Sequence, residues 1–173
     1  GFVLKPVTGS TARGVFCLVP EDGRYRELLS GRRMSWGRVK IEAYAAKRAS
    51  FDFAADRVRH PWIIEALIGG DRLVDDWKAY CIGGEPVLWR QIRRSRSVVV
   101  KWWTEDFCDA GEITRHWEYD ATLEGPSDPA SMVAAARAIS AEVAGPFVRV
   151  DLYDDGGAVF GEITPHPGGA KRS

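Results

Sequence analysis

Short apolar runs separated by polar turn residues make up most of this sequence, a pattern that predicts more strands than helices. At the C-terminal end, residues 148–153 and 158–163 form two such runs on either side of Asp154-Asp155-Gly156-Gly157. Aspartate and glycine tolerate the positive φ angles of tight turns. We therefore predict a β-hairpin at this end of the chain.

The register of this hairpin depends on which two residues form its loop. A loop at Asp155-Gly156 puts Arg149 opposite Glu162, with Asp151 on the diagonal, whereas a loop at Gly156-Gly157 puts Asp151 directly opposite Glu162. In both registers the three charged residues share one face, and two carboxylates this close need a cation between them. The alternative is that both acids are ordinary solvent-facing residues of an edge hairpin.

The first part of the chain predicts a second pair of strands, Phe2–Pro6 and 14–19, joined by a loop of small residues. The loop matches neither a Walker A motif nor a dinucleotide-binding motif. Its backbone N–H groups and hydroxyls could still fold over phosphates, with Lys5 and Arg13 supplying positive charge. A plain hairpin turn is the alternative.

The middle of the chain predicts one amphipathic helix followed by an apolar strand. Residues 35–48 have apolar positions at helical spacing. Residues 62–68 are apolar except for Glu65, which either faces solvent or meets a polar ligand, and Gly69-Gly70 closes this run as a candidate hinge.

Residues 75–104 predict an antiparallel meander of three strands. The first strand, residues 75–82, alternates as a half-buried strand with Asp76, Lys78 and Tyr80 on one face. The segment 90–96 contains four arginines. A solvated strand edge explains them, because charged edges prevent unwanted pairing. The alternative is a clamp for an acidic substrate or a phosphate.

One further helix is predicted between the meander and the terminal hairpin. Asp128 is its N-cap, Pro129 takes its first position, and Gly145-Pro146 ends it. Its apolar face should pack on the sheet that contains the hairpin. Strands in excess over two helices, arranged as hairpins, give an α+β fold class.

Composition narrows the possible functions. The 173 residues are 45% hydrophobic and 28% charged, which suffices for a core of one domain or two small lobes. Twenty-four basic residues balance 24 acidic ones, so no overall field attracts nucleic acid, and no apolar run is long enough to span a membrane. Three scattered cysteines do not predict a disulfide framework, so we expect reduced thiols and a cytoplasmic protein.

Four motifs in order resemble the ATP-grasp superfamily, and within it the teichuronopeptide-biosynthesis-like group. They are Lys5-Pro6-x-x-Gly9-Ser10, Asp76-Trp77-Lys78-x-Tyr80-Cys81, Arg149-x-Asp151-x-Tyr153 and Gly161-Glu162-Ile163-Thr164-x-x-Pro167-Gly168-Gly169. The resemblance implies two α+β lobes with antiparallel sheets that hold ATP between them. Residues 1–68 would form the small lobe with the phosphate flap, and residues 69–173 the large lobe with the metal site. The chain begins directly in a strand, so we expect the upstream N-terminal lobe of such enzymes to be missing from it.

The resemblance also implies roles for individual residues. In the small lobe, nucleotide-binding residues would be Lys5, Gly9, Ser10, Thr11 and Glu65, with Glu65 at the adenine edge. In the large lobe, Asp76 and Lys78 would also bind the nucleotide, with Asp76 at the ribose. Mg²⁺ ligands would be Asp151, Glu162 and Thr164, where many relatives have Asn in place of Thr164. Arg149 and Lys5 would be the catalytic cations at the transferring phosphoryl group.

The function implied is an ATP-dependent carboxylate–amine ligase that forms an amide through an acylphosphate, with ATP and Mg²⁺ as cofactors. Its partners would be small or sugar-linked carboxylates and amines of surface-polysaccharide or peptide-polymer synthesis. A phosphotransferase that uses the same nucleotide site and a non-catalytic nucleotide-binding module are the alternatives. No Ser-His-Asp or Cys-His arrangement is apparent, which fits a reaction that needs no protein nucleophile.

Overall fold

The computed structural model describes residues 1–7, 14–48, 62–95 and 97–165. It divides the chain into two units, residues 1–73 and 74–173, each with its own sheet. The described residues form two sheets and two helices, an α+β arrangement that confirms the predicted class. The functional lobes bounded at 68 and 69 stay a prediction.

In the described part of the first unit, one helix accompanies a five-stranded antiparallel sheet in the order β4-β3-β2-β1-β5. Its elements are β1 (Phe2–Pro6), β2 (Phe16–Glu21), β3 (Arg24–Glu27), β4 (Arg32–Met34), α1 (Trp36–Arg48) and β5 (Trp62–Ala66). The helix and the strands β1, β2 and β5 were predicted. Val39 and Ala43 of α1 pack with Leu4, Leu18 and Met34 of the sheet, so the apolar face of the helix forms this core.

The second unit is a six-stranded sheet in the order β11-β10-β6-β7-β8-β9, covered on one face by a helix. Its elements are β6 (Asp76–Ile82), β7 (Glu85–Arg94), β8 (Val98–Thr104), β9 (Glu118–Tyr119), α2 (Pro129–Ala141), β10 (Phe147–Asp154) and β11 (Ala158–Thr164). Only the β8–β9 pair is parallel among the strand pairs described. The predicted meander is confirmed as β6-β7-β8.

Helix α2 begins and packs as predicted. The Asp128 side chain accepts a hydrogen bond from Ser131 N at 3.0 Å, which satisfies a free N–H at the helix start. Met132 and Ala136 are buried against Val148, Val150 and Leu152 of β10. Here the sheet is apolar, and Arg149 and Asp151 of β10 lie on its other face.

Two expectations about burial are wrong. Strand β6 is not half-buried, because Asp76 through Ala79 are all buried: the strand lies between β10 and β7, and charged side chains of its neighbours surround Asp76 and Lys78. The arginines of segment 90–96 do not form a solvated edge either, because β7 is an inner strand paired with both β6 and β8. Arg96 lies outside the described residues.

The terminal hairpin forms, with a longer loop than either predicted register has. Asp154 pairs with Ala158, so three residues, 155–157, form the loop. A β-bulge then shifts the register between Asp151 and Leu152, and Asp151 lies directly opposite Glu162. The second predicted pairing is thus confirmed, although a bulge rather than the loop produces it.

Three further findings concern the chain as a whole. The cysteines Cys81 and Cys108 are free thiols. Gly69 and Gly70 have φ angles of 84° and 71° in a turn, and their role as a hinge stays a prediction. In the described ranges, no helix has the length and apolar character needed to cross a membrane.

Candidate active site

The predicted site residues of the second unit lie on one face of its sheet, because successive side chains of a strand point to opposite faces. On β6 and β10, Asp151 pairs with Lys78, and Arg149 pairs with Tyr80. Since side chains of paired residues point to the same side of a sheet, these groups share the face opposite α2. We call this side of the six-stranded sheet the charged face.

Lys78 links the two aspartates of the charged face. Its Nζ donates to Asp76 Oδ1 at 3.2 Å and also to Asp151 Oδ2. The side chains of Lys78 and Asp76 are each 10% exposed, and that of Asp151 is 5% exposed. Buried charges are tolerated only when they are paired and hydrogen-bonded, so this arrangement explains how a central strand can contain an aspartate and a lysine.

Arg149 binds each of the three predicted metal ligands. Its Nε donates to Asp151 Oδ1 at 2.6 Å, and its Nη2 donates to Asp151 Oδ2 at 2.8 Å. The same Nη2 lies 3.3 Å from Glu162 Oε1 and 2.9 Å from Thr164 Oγ1. One guanidinium group therefore supplies positive charge between the two carboxylates.

Asp151 and Glu162 occupy different environments although they pair directly. Asp151 is buried on an inner strand, so it is not an ordinary solvent-facing residue, whereas Glu162 is exposed on the edge strand β11. Partial burial raises the pKa of Glu162 above its usual value, and the nearby Asp151 carboxylate raises it further. The cations Lys78 and Arg149 act in the opposite direction on this pKa. The two carboxylates repel each other, and a cation bound near both reduces this repulsion.

Gly161 allows β11 to approach β10 at the bulge. A Cβ atom on Gly161 would lie 2.9 Å from the Asp151 carbonyl oxygen and 3.0 Å from Cε2 of Tyr153. A side chain of any size would therefore push the two strands apart next to Glu162. The Gly-Glu order in this strand places the carboxylate beside Asp151.

The oxygen set of the charged face fits Mg²⁺ bound together with phosphates. Asp151, Glu162 and Thr164 offer only oxygen donors, which Mg²⁺ prefers, and Mg²⁺ is usually held by one or two carboxylates plus substrate phosphates and water. Among the described residues, no group of three or more His, Cys, Asp or Glu side chains could hold a metal ion. These donors thus fit a metal ion that phosphates of a ligand also bind, rather than a metal ion held by protein ligands alone.

Two predicted site residues of the first unit are also brought together. Lys5 lies on β1 and Glu65 on β5, and Lys5 Nζ is 2.6 Å from Glu65 Oε1. Their side chains are 37% and 45% exposed, and an exposed pair of this kind adds little to stability. Gly9, Ser10 and Thr11 lie outside the described residues.

Strand β7 contributes an arginine, Arg94, to the surroundings of the site, and sequence reasoning did not place it there. Arg94 Nη2 lies 3.2 Å from Asp76 Oδ2, which gives this buried aspartate a second cation besides Lys78. Arg93 pairs with Asp75, through Nε at 2.9 Å and Nη2 at 2.8 Å. The neighbouring residues Arg93 and Arg94 thus form ion pairs with the neighbouring residues Asp75 and Asp76. The sequence feature that could have indicated this contact is the run of arginines that directly follows the apolar residues of the same strand.

Aromatic rings form the other end of the charged face. Tyr80 stacks on Trp102 with ring centroids 5.7 Å apart, and Phe147 stacks on Tyr80 at 6.4 Å. The guanidinium carbon of Arg90 lies 5.3 Å from the Trp102 ring centroid and 5.9 Å from that of Tyr80. Burial raises the pKa of the Tyr80 hydroxyl, so this residue stays neutral at physiological pH. We call these four residues the aromatic–arginine stack.

Comparison with known protein families gives a match over the whole chain. A family model described as TupA-like ATPgrasp matches residues 1–173. No curated protein and no solved structure matches the chain.

Proposed function

The chain belongs to the TupA-like ATP-grasp family, and from this we propose that it is an ATP-dependent carboxylate–amine ligase that forms an amide through an acylphosphate. Membership of the family supports a ligase-like function that depends on ATP. Amide formation, the role of Mg²⁺ and a place in surface-polysaccharide or peptide-polymer synthesis are the finer parts of the proposal.

The observation that carries the proposal is the contact of one guanidinium group with two carboxylates and a hydroxyl on a single sheet face. Transfer of a phosphoryl group needs positive charge at the phosphate oxygens and fixed positions for the reacting atoms. Arg149 provides the charge, while Asp151 and Glu162 provide the oxygens that fit a phosphate-bound metal.

Mg²⁺ bound there would neutralise charge on the phosphates of ATP. Asp151, Glu162 and Thr164 would hold it. Arg149 would turn from these oxygens toward the transferring phosphoryl group, a movement that its long side chain permits. Lys78 and Arg94 would hold the Asp76 and Asp151 side chains in place through their hydrogen bonds.

In the proposed reaction, a carboxylate oxygen of the substrate attacks the γ-phosphorus of ATP, and ADP leaves as the new O–P bond forms. The nitrogen of an amine then attacks the carbonyl carbon of the acylphosphate, loses a proton, and inorganic phosphate leaves as the C–N bond forms. Both nucleophiles come from substrates. The chain supplies binding, orientation and charge.

The remaining predicted residues would bind the nucleotide. Lys5 would contact phosphates and Glu65 the adenine edge, and the ion pair between them would then have to open. Asp76 would meet the ribose hydroxyls of ATP, and Lys78 would also bind the nucleotide. Gly9, Ser10 and Thr11 would cover the phosphates with backbone N–H groups and hydroxyls.

Thermal unfolding with and without millimolar Mg-ATP tests the nucleotide site. Binding raises the midpoint by mass action, and no shift would contradict both an enzyme and a nucleotide-binding module. Phosphate release from ATP, assayed against pairs of carboxylates and amines, tests the chemistry. The ligase requires both partners for phosphate release. Permanent transfer of phosphate to one acceptor would identify a phosphotransferase instead.

A further inference from the structure

Arg90 is a partly buried cation that has no carboxylate partner in the portion of the chain described. It lies on the inner strand β7, paired with Lys78 on one side and Trp102 on the other. Its Nε is buried and has no hydrogen-bond acceptor among the described residues. An unpaired charge in such a position is costly, and native proteins nearly always satisfy buried donors.

Neighbouring cations of the charged face differ from Arg90 in this respect. Lys78 bonds to two aspartates, Arg94 contacts Asp76, and Arg149 contacts Asp151. The acids within reach are thus already shared among these other cations. Arg90 lies on β7, directly beside Lys78 on β6. Its positive charge is therefore available to bind a ligand.

The rings around Arg90 fix the direction of its guanidinium group. Tyr80 and Trp102 stack on each other, and Arg90 lies against both, a contact in which a guanidinium keeps its N–H edge free for a planar acceptor. Phe147, 38% exposed, extends the stack and offers an apolar surface.

Trp102 Nε1, on the same face, is a second buried donor for which the described part of the chain supplies no acceptor. Trp77 and Trp89, in the apolar core, also have unsatisfied Nε1 atoms, so the tryptophan donor alone would not indicate a ligand. The charge of Arg90 is what distinguishes this position.

We propose that the aromatic–arginine stack is the binding site for the acid substrate, with Arg90 holding a carboxylate and Tyr80, Trp102 and Phe147 packing against the ring that carries it. This assignment rests on the proposed ligase function, which needs a carboxylate near the transferred phosphate. Ligand sites are commonly lined by aromatic side chains with a few polar groups that set orientation, and Arg90 is such a group. The site thereby selects ring-bearing acids over small flexible ones.

Arginine binds phosphate as well as carboxylate, so the test must separate the two sources of negative charge. Binding of benzoate and galacturonate to the purified protein is measured by calorimetry, with acetate as an acid without a ring and galactose as a ring without an acid. We expect both ring acids to bind more tightly than acetate and galactose. Arg90→Met should weaken binding of the ring acids about tenfold or more, because a charge-assisted hydrogen bond is lost.

Arg93→Gln is the matched control, because Arg93 lies on the same strand, faces the opposite side and is already paired with Asp75. It should leave acid binding unchanged. Arg90→Lys keeps the positive charge but lacks the planar guanidinium group, so it should weaken acid binding less than Arg90→Met does. This variant tests the proposal even if Arg90→Met folds poorly. Urea unfolding of each variant reports its folding.

Unchanged acid binding in Arg90→Met, or no binding of either ring acid to the parent protein, would overturn the proposal. Mg-ATP affinity, followed by the thermal midpoint, should be the same in Arg90→Met and the parent. An equal or larger loss for Mg-ATP would assign Arg90 to a phosphate of the nucleotide and would also overturn it. A parent protein that binds Mg-ATP but neither acid refutes this site alone, whereas failure to bind Mg-ATP refutes the proposed function.

Discussion

Asp151 and Glu162 lie directly opposite each other on β10 and β11, yet the side chain of Asp151 is 5% exposed and that of Glu162 is 67% exposed. The inner strand buries one carboxylate among cations, while the edge strand presents the other to solvent. The two acids should therefore respond differently to removal of their charge, although both are predicted to bind the same metal.

Glu162→Gln should separate activity from stability. Loss of a ligand and its charge should lower ATP turnover by about a hundredfold or more, by analogy with removal of a single electrostatic contact in other active sites. The free energy of unfolding should change by no more than about 0.5 kcal/mol, because the side chain is exposed. Glu118→Gln, at an exposed acid on β9, is the control and should change neither quantity. Full turnover in Glu162→Gln would remove this residue from the site.

Asp151→Asn should reduce stability as well as activity. The substitution leaves Lys78 and Arg149 with less negative charge in a buried position, which should cost roughly 3 kcal/mol of unfolding free energy. Urea denaturation measures this cost.

A double-mutant cycle with Lys78→Met tests whether the loss comes from the ion pair. The double variant should be more stable than the sum of the single effects predicts, by about 1 kcal/mol or more, because neither charge is then left alone. Additivity within about 0.3 kcal/mol would show that Asp151 and Lys78 act independently.

Local sequence patterns predicted the elements that depend on apolar runs and caps. Helix α2 follows from Asp128, Pro129 and its apolar spacing, and the terminal strands follow from two apolar runs around a turn. Strands β3 and β4 were not predicted, because neither Arg24–Glu27 nor Arg32–Met34 has alternating apolar residues. They are recognisable as strands only from their pairing with neighbouring strands in the folded sheet.

The candidate site was predictable in its residues but not in its burial or register. Alternation shows that Asp76 and Lys78 share a face, but it does not show whether neighbouring strands surround that face with charge. The bulge opposite Asp151 depends on a close backbone approach at Gly161, which no spacing rule reveals. Nor could the sequence show that Arg94 reaches Asp76 across β6 and β7 while Arg90 has no acid partner among the described residues.

Gly161→Ala should damage the site through the backbone. The new Cβ would meet the Asp151 carbonyl oxygen at 2.9 Å, so the strands must shift, at a cost of about 1–3 kcal/mol. Because Glu162 is the next residue, ATP turnover should fall too. Gly125→Ala is the control, since a Cβ there would lie 4.0 Å from Trp103 and should be tolerated in both assays. Parent-like stability and turnover in Gly161→Ala would contradict the need for this close approach.

The pH dependence of stability should report the contact between the two acids in metal-free buffer. Burial and Asp151 raise the pKa of Glu162 above its usual 4.5, so the folded protein holds this proton to higher pH than the unfolded chain does. Its contribution is therefore fully present below pH 4.5 and is lost as the pH rises through the folded pKa. Urea unfolding across this range should show the loss in the parent and its absence in Glu162→Gln. Parallel curves for the two proteins would contradict the raised pKa.

Arg149→Met should increase the affinity for a divalent cation in the absence of nucleotide while lowering ATP turnover. In the parent, one guanidinium group contacts Asp151, Glu162 and Thr164, so a metal must displace it from the same oxygens. Removing one positive charge at this range should strengthen metal binding about tenfold. Titration with Mn²⁺ followed by electron paramagnetic resonance measures this affinity, with Arg137→Gln as the control because Arg137 pairs with Glu85 on another surface. Weaker Mn²⁺ binding in Arg149→Met would show that the guanidinium organises these oxygens for the metal rather than competing with it.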